Sequence, residues 1–104
     1  MLVNMSKRIF NQQEYIIPAG RTVVVDLGSW GFEMRIPRGY IAETSLHAGW
    51  VAKGLKAESF RASLEIPSLG VLFVENTTSE DVHIPEGACI AITDYYAYSP
   101  SNEE

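Results

Sequence analysis

The stretch Ile17-Pro18-Ala19-Gly20, which leads after Arg21 into the apolar run Thr22-Val23-Val24-Val25, decides the fold. Proline presets the second position of a β-turn, and glycine is favoured at the fourth position or wherever φ must be positive. The same unit recurs three times, each time ahead of another strand-like run: Ile36-Pro37-Arg38-Gly39, Ile66-Pro67-Ser68-Leu69-Gly70 and Ile84-Pro85-Glu86-Gly87. Apolar strands joined by tight turns predict an antiparallel sheet.

Alternating side chains between these turns predict further strands. Residues 31–36 and 60–66 place apolar residues at every second position, which is typical of a strand with one solvated face. Residues 49–57 form the one stretch that could hold a helical turn. About eight strands with turns roughly every 8–12 residues indicate an all-β fold, which we predict to be a small antiparallel jelly-roll sandwich. The unequal turn spacing argues against a solenoid or propeller repeat.

The chain length bounds the domain organisation. A chain of 104 residues has room for one domain. We expect an N-terminal arm over residues 1–13, a single β domain over residues 14–98 and a disordered acidic tail over residues 99–104. The arm contains Ile9 and Phe10 but no turn signal, so it could exchange onto a neighbouring copy.

Targeting and redox signals point to the inside of a cell or a virus particle. The chain contains no apolar run near the roughly 20 residues that a membrane helix needs, and no secretory signal opens it. We therefore expect no membrane association and a cytoplasmic or virion location. The single cysteine, Cys89, cannot form an internal disulfide, which agrees with a reducing compartment.

Charge is distributed unevenly along the chain, whose net charge is −5. All eight Lys and Arg residues lie within residues 7–61. In residues 62–104, every residue that is charged at neutral pH is acidic. An acidic chain is a poor non-specific ligand for nucleic acid, because phosphate neutralisation needs clustered Lys and Arg. The basic part of one subunit could face the acidic part of another. Alternatively, the two parts interleave in one sheet and their charges cancel.

Catalytic and metal-binding patterns are weak in this sequence. His47 and His83 are the only histidines, and Cys89 follows His83 on a predicted strand that favours a packed thiol. These three residues form neither a nucleophile–base arrangement nor a zinc-ligand spacing. Glu80 and Asp81 fall in a polar turn, where solvated carboxylates are expected. We therefore predict no catalytic residue, no metal site and no cofactor.

Aromatic residues could form a contact surface, because their side chains offer a large rigid area with a polar tip. The candidate interface residues are Ile9, Phe10, Trp30, Trp50, Tyr95, Tyr96 and Tyr98. In the alternative interpretation, the tryptophans are partly buried, and Tyr95 and Tyr96 point to opposite faces of a last strand.

Four segments after Val25 resemble the trimeric dUTP pyrophosphatase (dUTPase) family, which shares its β-clip fold with the dCTP deaminases. Residues 36–40 (IPRGY) are similar to the family's PxGY strand entry, and residues 46–54 (LHAGWVAKG) are similar to its phosphate-binding segment PRSGLAxKxG. The pair formed by residues 73–76 (FVEN) and 82–91 (VHIPEGACIA) is similar to its LFN and IxxGDRIAQ segments. The resemblance covers about 65 residues and implies a β-clip-like sandwich and a threefold assembly.

The chemical positions depart from the family pattern. His47 and Ala48 stand where the family has an arginine and a serine that contact phosphate, and Cys89 stands where it has another arginine. Losing an arginine removes a bidentate phosphate donor. The family's water-orienting aspartate has no counterpart between residues 54 and 70. The resemblance therefore implies the fold rather than the activity.

A divergent nucleotide site would use the residues that still match. In that case the resemblance implies that His47, Gly49 and Lys53 touch phosphate. Glu58 or Glu65 would then stand in for the missing aspartate.

The sequence therefore favours a non-catalytic homo-oligomeric β-sandwich module with a structural or protein-interaction role. One form of that role is a viral capsid decoration or stabilising protein. A trimer is the favoured oligomer, and other protein subunits of a larger assembly are candidate partners. Two alternatives stay open: a divergent dUTPase-like nucleotide-binding protein or nucleotide hydrolase, and a carbohydrate-binding jelly roll that uses Trp30 or Trp50.

Overall fold

The computed structural model describes residues 5–27, 36–66 and 70–97. Within these ranges the chain forms nine β-strands and one short helix, so the predicted all-β fold is confirmed. Helix α1 (Ala48–Val51) lies where a helical turn was predicted. The strands are β1 (Met5–Phe10), β2 (Tyr15–Ile17), β3 (Thr22–Asp26), β4 (Tyr40–Leu46), β5 (Leu55–Lys56), β6 (Phe60–Ser63), β7 (Val71–Asn76), β8 (Val82–Ile84) and β9 (Cys89–Ala97).

The strands form three antiparallel sheets in a sandwich. The largest sheet has the order β1-β9-β4-β6, the second has the order β3-β7-β5, and β2 pairs with β8. In the largest sheet Glu43 of β4 lies opposite Asp94 of β9 on one side and Arg61 of β6 on the other. Strand β9, from the acidic part of the sequence, therefore lies between β1 and β4 from the basic part. The two parts interleave within this sheet, as one of the two interpretations of the charge pattern expected.

The core joins the inward faces of all three sheets. Ile17, Val25, Leu72, Ile84 and Ile90 are fully buried or nearly so. Burying one such side chain contributes about 1.5–3 kcal/mol, so these five side chains alone represent a large share of the hydrophobic stabilisation. The remaining buried apolar residues are Ile9, Leu27, Ala42, Leu46, Leu55, Ala62, Val74, Ala91 and Tyr95.

Three of the four repeated proline–glycine units form tight turns, with a register that differs from the prediction, and residues 67–69 of the fourth lie outside the described residues. In these three turns the residue after the glycine donates its N–H to the proline carbonyl, so proline occupies the first turn position and glycine the third: Arg21 to Pro18 (3.0 Å), Tyr40 to Pro37 (3.1 Å) and Ala88 to Pro85 (3.3 Å). Gly20, Gly39 and Gly87 have φ between 71° and 86°, the conformation that the third position of a type II turn requires.

Of the two strands predicted from alternating side chains, the structure describes residues 60–66 in full and residues 31–36 only at Ile36. The strand predicted over residues 60–66 ends at Ser63, because Ser63 and Ile66 exchange backbone hydrogen bonds of 2.9 and 3.2 Å in a tight turn. The strand predicted over residues 31–36 lies outside the described residues apart from Ile36. Residues 5–10 of the predicted arm form β1 within the chain's own sheet.

Candidate functional site

The segment predicted to contact phosphate lies where β4 ends and the chain turns through α1. The His47 backbone N–H donates to the Ile90 carbonyl at 2.9 Å, which fixes this end of β4 against β9. His47 Nδ1 accepts a hydrogen bond of 2.9 Å from the Gly49 N–H. A side-chain acceptor at this position caps a helix, because the first N–H groups of a helix have no partner within it.

An open cavity of about 280 Å³ lies beside this turn. It is lined by His47, Gly49, Trp50, Lys53, Ala88 and Cys89. The structure therefore brings together the three residues that the sequence predicts to contact phosphate. It adds two residues from the start of β9 and the turn before it, which no local pattern connects with residues 47–53.

The polar groups of this cavity already have partners within the chain. Lys53 Nζ lies 5.0 Å from the centre of the Trp50 ring, within cation–π range. Trp50 Nε1 donates to the Cys89 carbonyl at 2.9 Å. The Cys89 thiol lies 3.6 Å from the Ala91 carbonyl oxygen. The cavity thus presents one ammonium group beside an aromatic ring, an arrangement that suits a small anionic group.

The second histidine has a different partner. His83 Nε2 on β8 lies 2.7 Å from Glu14 Oε2, and both side chains are exposed. Among residues 5–27, 36–66 and 70–97, no three His, Cys, Asp or Glu side chains are grouped so that they could hold a metal ion.

Among the described residues the four-stranded sheet has two unpaired edges, which we call the β1 edge and the β6 edge. In the part of the chain that the structure describes, β1 pairs only with β9 and β6 pairs only with β4. Phe10 at the end of β1 is exposed, and so are Leu64 and Ile66 just after β6, with Ile66 at 70%. An open strand edge is a template for pairing with another chain.

A third surface lies on the outer face of the three-stranded sheet. Val24 of β3 and Phe73 of β7 lie directly opposite each other, and Phe73 is 62% exposed. We call these two residues the apolar pair. In the same sheet Glu75 lies opposite Thr22 on one side and Lys56 on the other, so polar residues border the pair. An apolar centre within a polar rim has the composition of a protein contact surface.

A second cavity of about 280 Å³ opens on the outer face of the four-stranded sheet. Ile41, Glu43, Arg61 and Tyr96 line it. Arg61 Nε lies 3.4 Å from Glu43 Oε2, and Ser59 Oγ donates to the same oxygen at 3.2 Å. The charged groups of this cavity therefore bind each other.

The predicted interface residues fall into two groups. Phe10 and Tyr96 are exposed, whereas Ile9 and Tyr95 belong to the core and Trp50 is half-buried. Tyr95 and Tyr96 thus point to opposite faces of β9, as the alternative interpretation expected. Burial raises the pKa of the Tyr95 hydroxyl above its ordinary value. Trp30 and Tyr98 lie outside the described residues.

Sequence reasoning missed the apolar pair and the exposed residues after β6. Residues 23–25 and 71–74 are uninterrupted apolar runs, so a period of two could not show which side chains face outward. Leu64 and Ile66 fit the apolar alternation of residues 60–66, which places them on the buried face. The turn at Ser63 ends that alternation and leaves both side chains in solvent.

No protein-family model matches this chain, and no curated protein sequence matches it. No helix among the described residues has the length and apolar character of a membrane span.

Proposed function

We propose that the chain is a non-catalytic homo-oligomeric β-sandwich module with a structural or protein-interaction role. The observation that carries this proposal is the exposure of large apolar side chains at both open edges of the four-stranded sheet: Phe10 at the β1 edge, and Leu64 and Ile66 at the β6 edge. Monomeric proteins usually blunt or cover their strand edges, because open edges promote association. Copies of the chain would cover these residues for one another.

The apolar pair supports the second half of the proposal. Val24 and Phe73 lie on a different sheet from the two open edges, so a chain assembled through its edges keeps this surface available. We assign it to another protein subunit of a larger assembly, of which a viral capsid is one form. The resemblance to the trimeric dUTPase family supports a trimer as the oligomer.

The experiment that tests this proposal compares two apolar-to-polar substitutions by sedimentation velocity. Ile66→Ser changes an exposed residue beside β6, whereas Val51→Ser changes a similarly apolar exposed residue on α1, away from both edges. We expect the wild-type chain to sediment as an oligomer, Ile66→Ser to weaken association and Val51→Ser to leave it unchanged. Equal behaviour of the two variants would contradict a role for the edges, and a monomeric wild-type chain would contradict the whole proposal.

Nucleotide binding is the second candidate function. It is favoured by the convergence of His47, Gly49 and Lys53 on one open cavity beside the Trp50 ring. Lys53 would contact phosphate through its ammonium group, which lies beside the Trp50 ring. The predicted stand-ins for the missing aspartate, Glu58 and Glu65, do not line this cavity, which favours binding over hydrolysis.

Titration calorimetry with dUTP or dCTP and magnesium tests this second function. We expect weak binding that Lys53→Met abolishes and that Lys56→Met, a matched change on β5 outside the cavity, leaves intact. No heat with the wild-type chain would remove nucleotide binding from consideration. Carbohydrate binding has less support, because the Trp50 N–H is already bonded to Cys89 and the Lys53 ammonium group lies over its ring.

A further inference from the structure

The two edges of the four-stranded sheet are compatible in direction. Each neighbouring pair in the order β1-β9-β4-β6 is antiparallel, so β1 and β6 run in opposite directions. If a second copy is placed beside the first in the same orientation, its β1 lies antiparallel to the first copy's β6. The alternation of strand directions then continues across the junction, which is the pairing that an antiparallel sheet requires.

Charge selects among the possible edge contacts. The β1 edge carries Lys7 and Arg8, both exposed, whereas the β6 edge is flanked by the exposed Glu58 and Glu65. Arg61, the cation within β6, is engaged by Glu43 of the same chain. The β1 edge is therefore basic and the β6 edge is acidic at both of its ends.

Pairing of like edges would oppose like charges. Two β1 edges would bring Lys7 and Arg8 of one copy against those of the other. Two β6 edges, paired antiparallel over Phe60–Ser63, would bring Glu58 of each copy towards Glu65 of its neighbour at the two ends of the paired strands. Like charges directly opposite each other destabilise a strand pair, whereas opposite charges stabilise it. The symmetric contacts are therefore disfavoured, and the contact between unlike edges is favoured.

We propose that copies of this chain associate head to tail, with the basic β1 edge of one copy paired against the acidic β6 edge of the next. This inference rests on the proposed homo-oligomeric function and specifies its contact. A head-to-tail contact uses two different surfaces on each copy, so it closes into a ring or continues as a filament. A closed ring, as in a trimer, satisfies both edges of every copy. It also covers Phe10, Leu64 and Ile66 without involving the apolar pair.

Charge reversal on each edge, separately and together, tests this contact. The first variant combines Lys7→Glu with Arg8→Glu, the second combines Glu58→Lys with Glu65→Lys, and the third carries all four changes. A control variant with Arg21→Glu and Arg38→Glu makes the same charge change as the first at exposed turn residues. The native mass of each is measured by light scattering over a concentration series at low ionic strength, with circular dichroism as the measure of folding.

We expect each single-edge variant to weaken association on the order of tenfold, because attraction at one edge becomes repulsion. The four-change variant should regain the wild-type mass, since its edges again have opposite charges, and the control should keep that mass. Raising the ionic strength should weaken the wild-type assembly, a result that requires no variant to fold.

Three results would overturn the head-to-tail contact. The first is a wild-type oligomer that neither single-edge variant weakens. The second is a folded four-change variant that does not regain association, and the third is an assembly insensitive to salt. Each of these leaves the homo-oligomeric function standing. A wild-type chain that is monomeric at every concentration would overturn the contact and the proposed function together.

Discussion

Two asparagines are buried in the described part of the chain, and their hydrogen-bond partners differ completely. Asn76, at the end of β7, donates through Nδ2 to the carbonyls of Ile17 (2.8 Å) and Glu80 (2.7 Å). Its Oδ1 accepts from the backbone N–H and the hydroxyl of Thr78, at 2.8 and 2.7 Å. Asn11, just after β1, is also buried, but neither its Nδ2 nor its Oδ1 has a hydrogen-bond partner among the described residues.

The two asparagines lie in two different connections, the turn after β7 and the segment after β1, and these connections are held by different kinds of hydrogen bond. The turn after β7 closes around the Asn76 amide and joins β2 to β7 through the Ile17 carbonyl. The connection after β1 is held instead by two backbone bonds, Asn11 N–H to Ala88 O (2.8 Å) and Gly87 N–H to Asn11 O (2.9 Å). A buried polar group without a partner opposes folding, whereas a satisfied one specifies it. We therefore expect the Asn11 side chain to contribute less to the stability of the fold than the Asn76 side chain.

We expect the largest effect on the free energy of unfolding from removing the side chain of Asn76, the asparagine whose hydrogen bonds are all satisfied. Asn76→Ala removes all four side-chain bonds, including the buried one to the Ile17 carbonyl. We expect a loss of about 3 kcal/mol in the free energy of unfolding, because each orphaned buried group costs about 1–3 kcal/mol. Urea denaturation measures it, with Ser79→Ala in the same turn as a nearly neutral control. If Asn76→Ala lowers the free energy of unfolding no more than Ser79→Ala does, the Asn76 hydrogen bonds do not stabilise this turn.

A somewhat smaller effect is expected at Gly54, against which the Asn76 turn packs. Its φ is +95°, and a Cβ there would lie 2.1 Å from Thr78 Cγ2. Thr78 cannot rotate away without moving its hydroxyl, whose one proton lies between Asn76 Oδ1 (2.7 Å) and the Glu80 carbonyl oxygen (2.9 Å), away from both acceptors. We expect Gly54→Ala to lower the free energy of unfolding by about 2 kcal/mol.

The same substitution at Gly54 can be separated into its steric and backbone parts. A Thr78→Ser background keeps the hydroxyl but removes Cγ2. Gly54→Ala should therefore cost less there than in the wild-type background, when both are measured by urea denaturation. An equal loss in the two backgrounds would show that the backbone conformation, rather than the contact, is responsible.

At Asn11 we expect a substitution to change the free energy of unfolding in the opposite direction. Asn11→Leu removes an unpartnered amide from a buried position and adds apolar surface, while both backbone bonds of residue 11 stay possible. We expect a neutral change or a stabilisation of up to about 1 kcal/mol in the free energy of unfolding. A destabilisation similar to that of Asn76→Ala would mean that Asn11 does have a partner in solution.

The smallest expected effect concerns Tyr95, which lies opposite Met5 at the start of β1. Desolvation raises its pKa in the folded state above the ordinary value of 10.0. Its contribution to stability is therefore fully present below about pH 10 and is lost as pH rises through the folded-state pKa. Tyr95→Phe should flatten the decline of the unfolding free energy above pH 10 relative to the wild-type chain, when both are measured by urea denaturation. Identical pH profiles for the variant and the wild-type chain would contradict this assignment.

The sequence predicted those parts of the fold that depend on local chemistry. The proline–glycine units gave tight turns at residues 18–20 and 85–87 because only glycine readily adopts the positive φ that such turns need. The hydrogen-bond register of the turns could not be predicted, since proline is acceptable at more than one turn position. The strand over residues 60–66 was predicted too long because its alternation continues past a turn that the Ser63 and Ile66 backbones form.

The candidate surfaces were less predictable, because they depend on strand order. Four of the cavity residues lie within the short segment 47–53, so a local sequence resemblance could identify this segment. Cys89 lies beside it only because β4 pairs with β9. Nothing local indicates that β1 and β6 are edges or that β9 separates β1 from β4. The partial burial of Trp50 and the full burial of Tyr95 likewise follow from long-range packing.

The most direct test of the central claim is the native mass of the full wild-type chain, measured by light scattering over a series of concentrations. A mass that is a fixed multiple of the single-chain mass, three being the favoured number, is the result predicted for a homo-oligomeric module. A single-chain mass at every concentration would contradict it. The exposed residues at the β1 and β6 edges would then need a different partner.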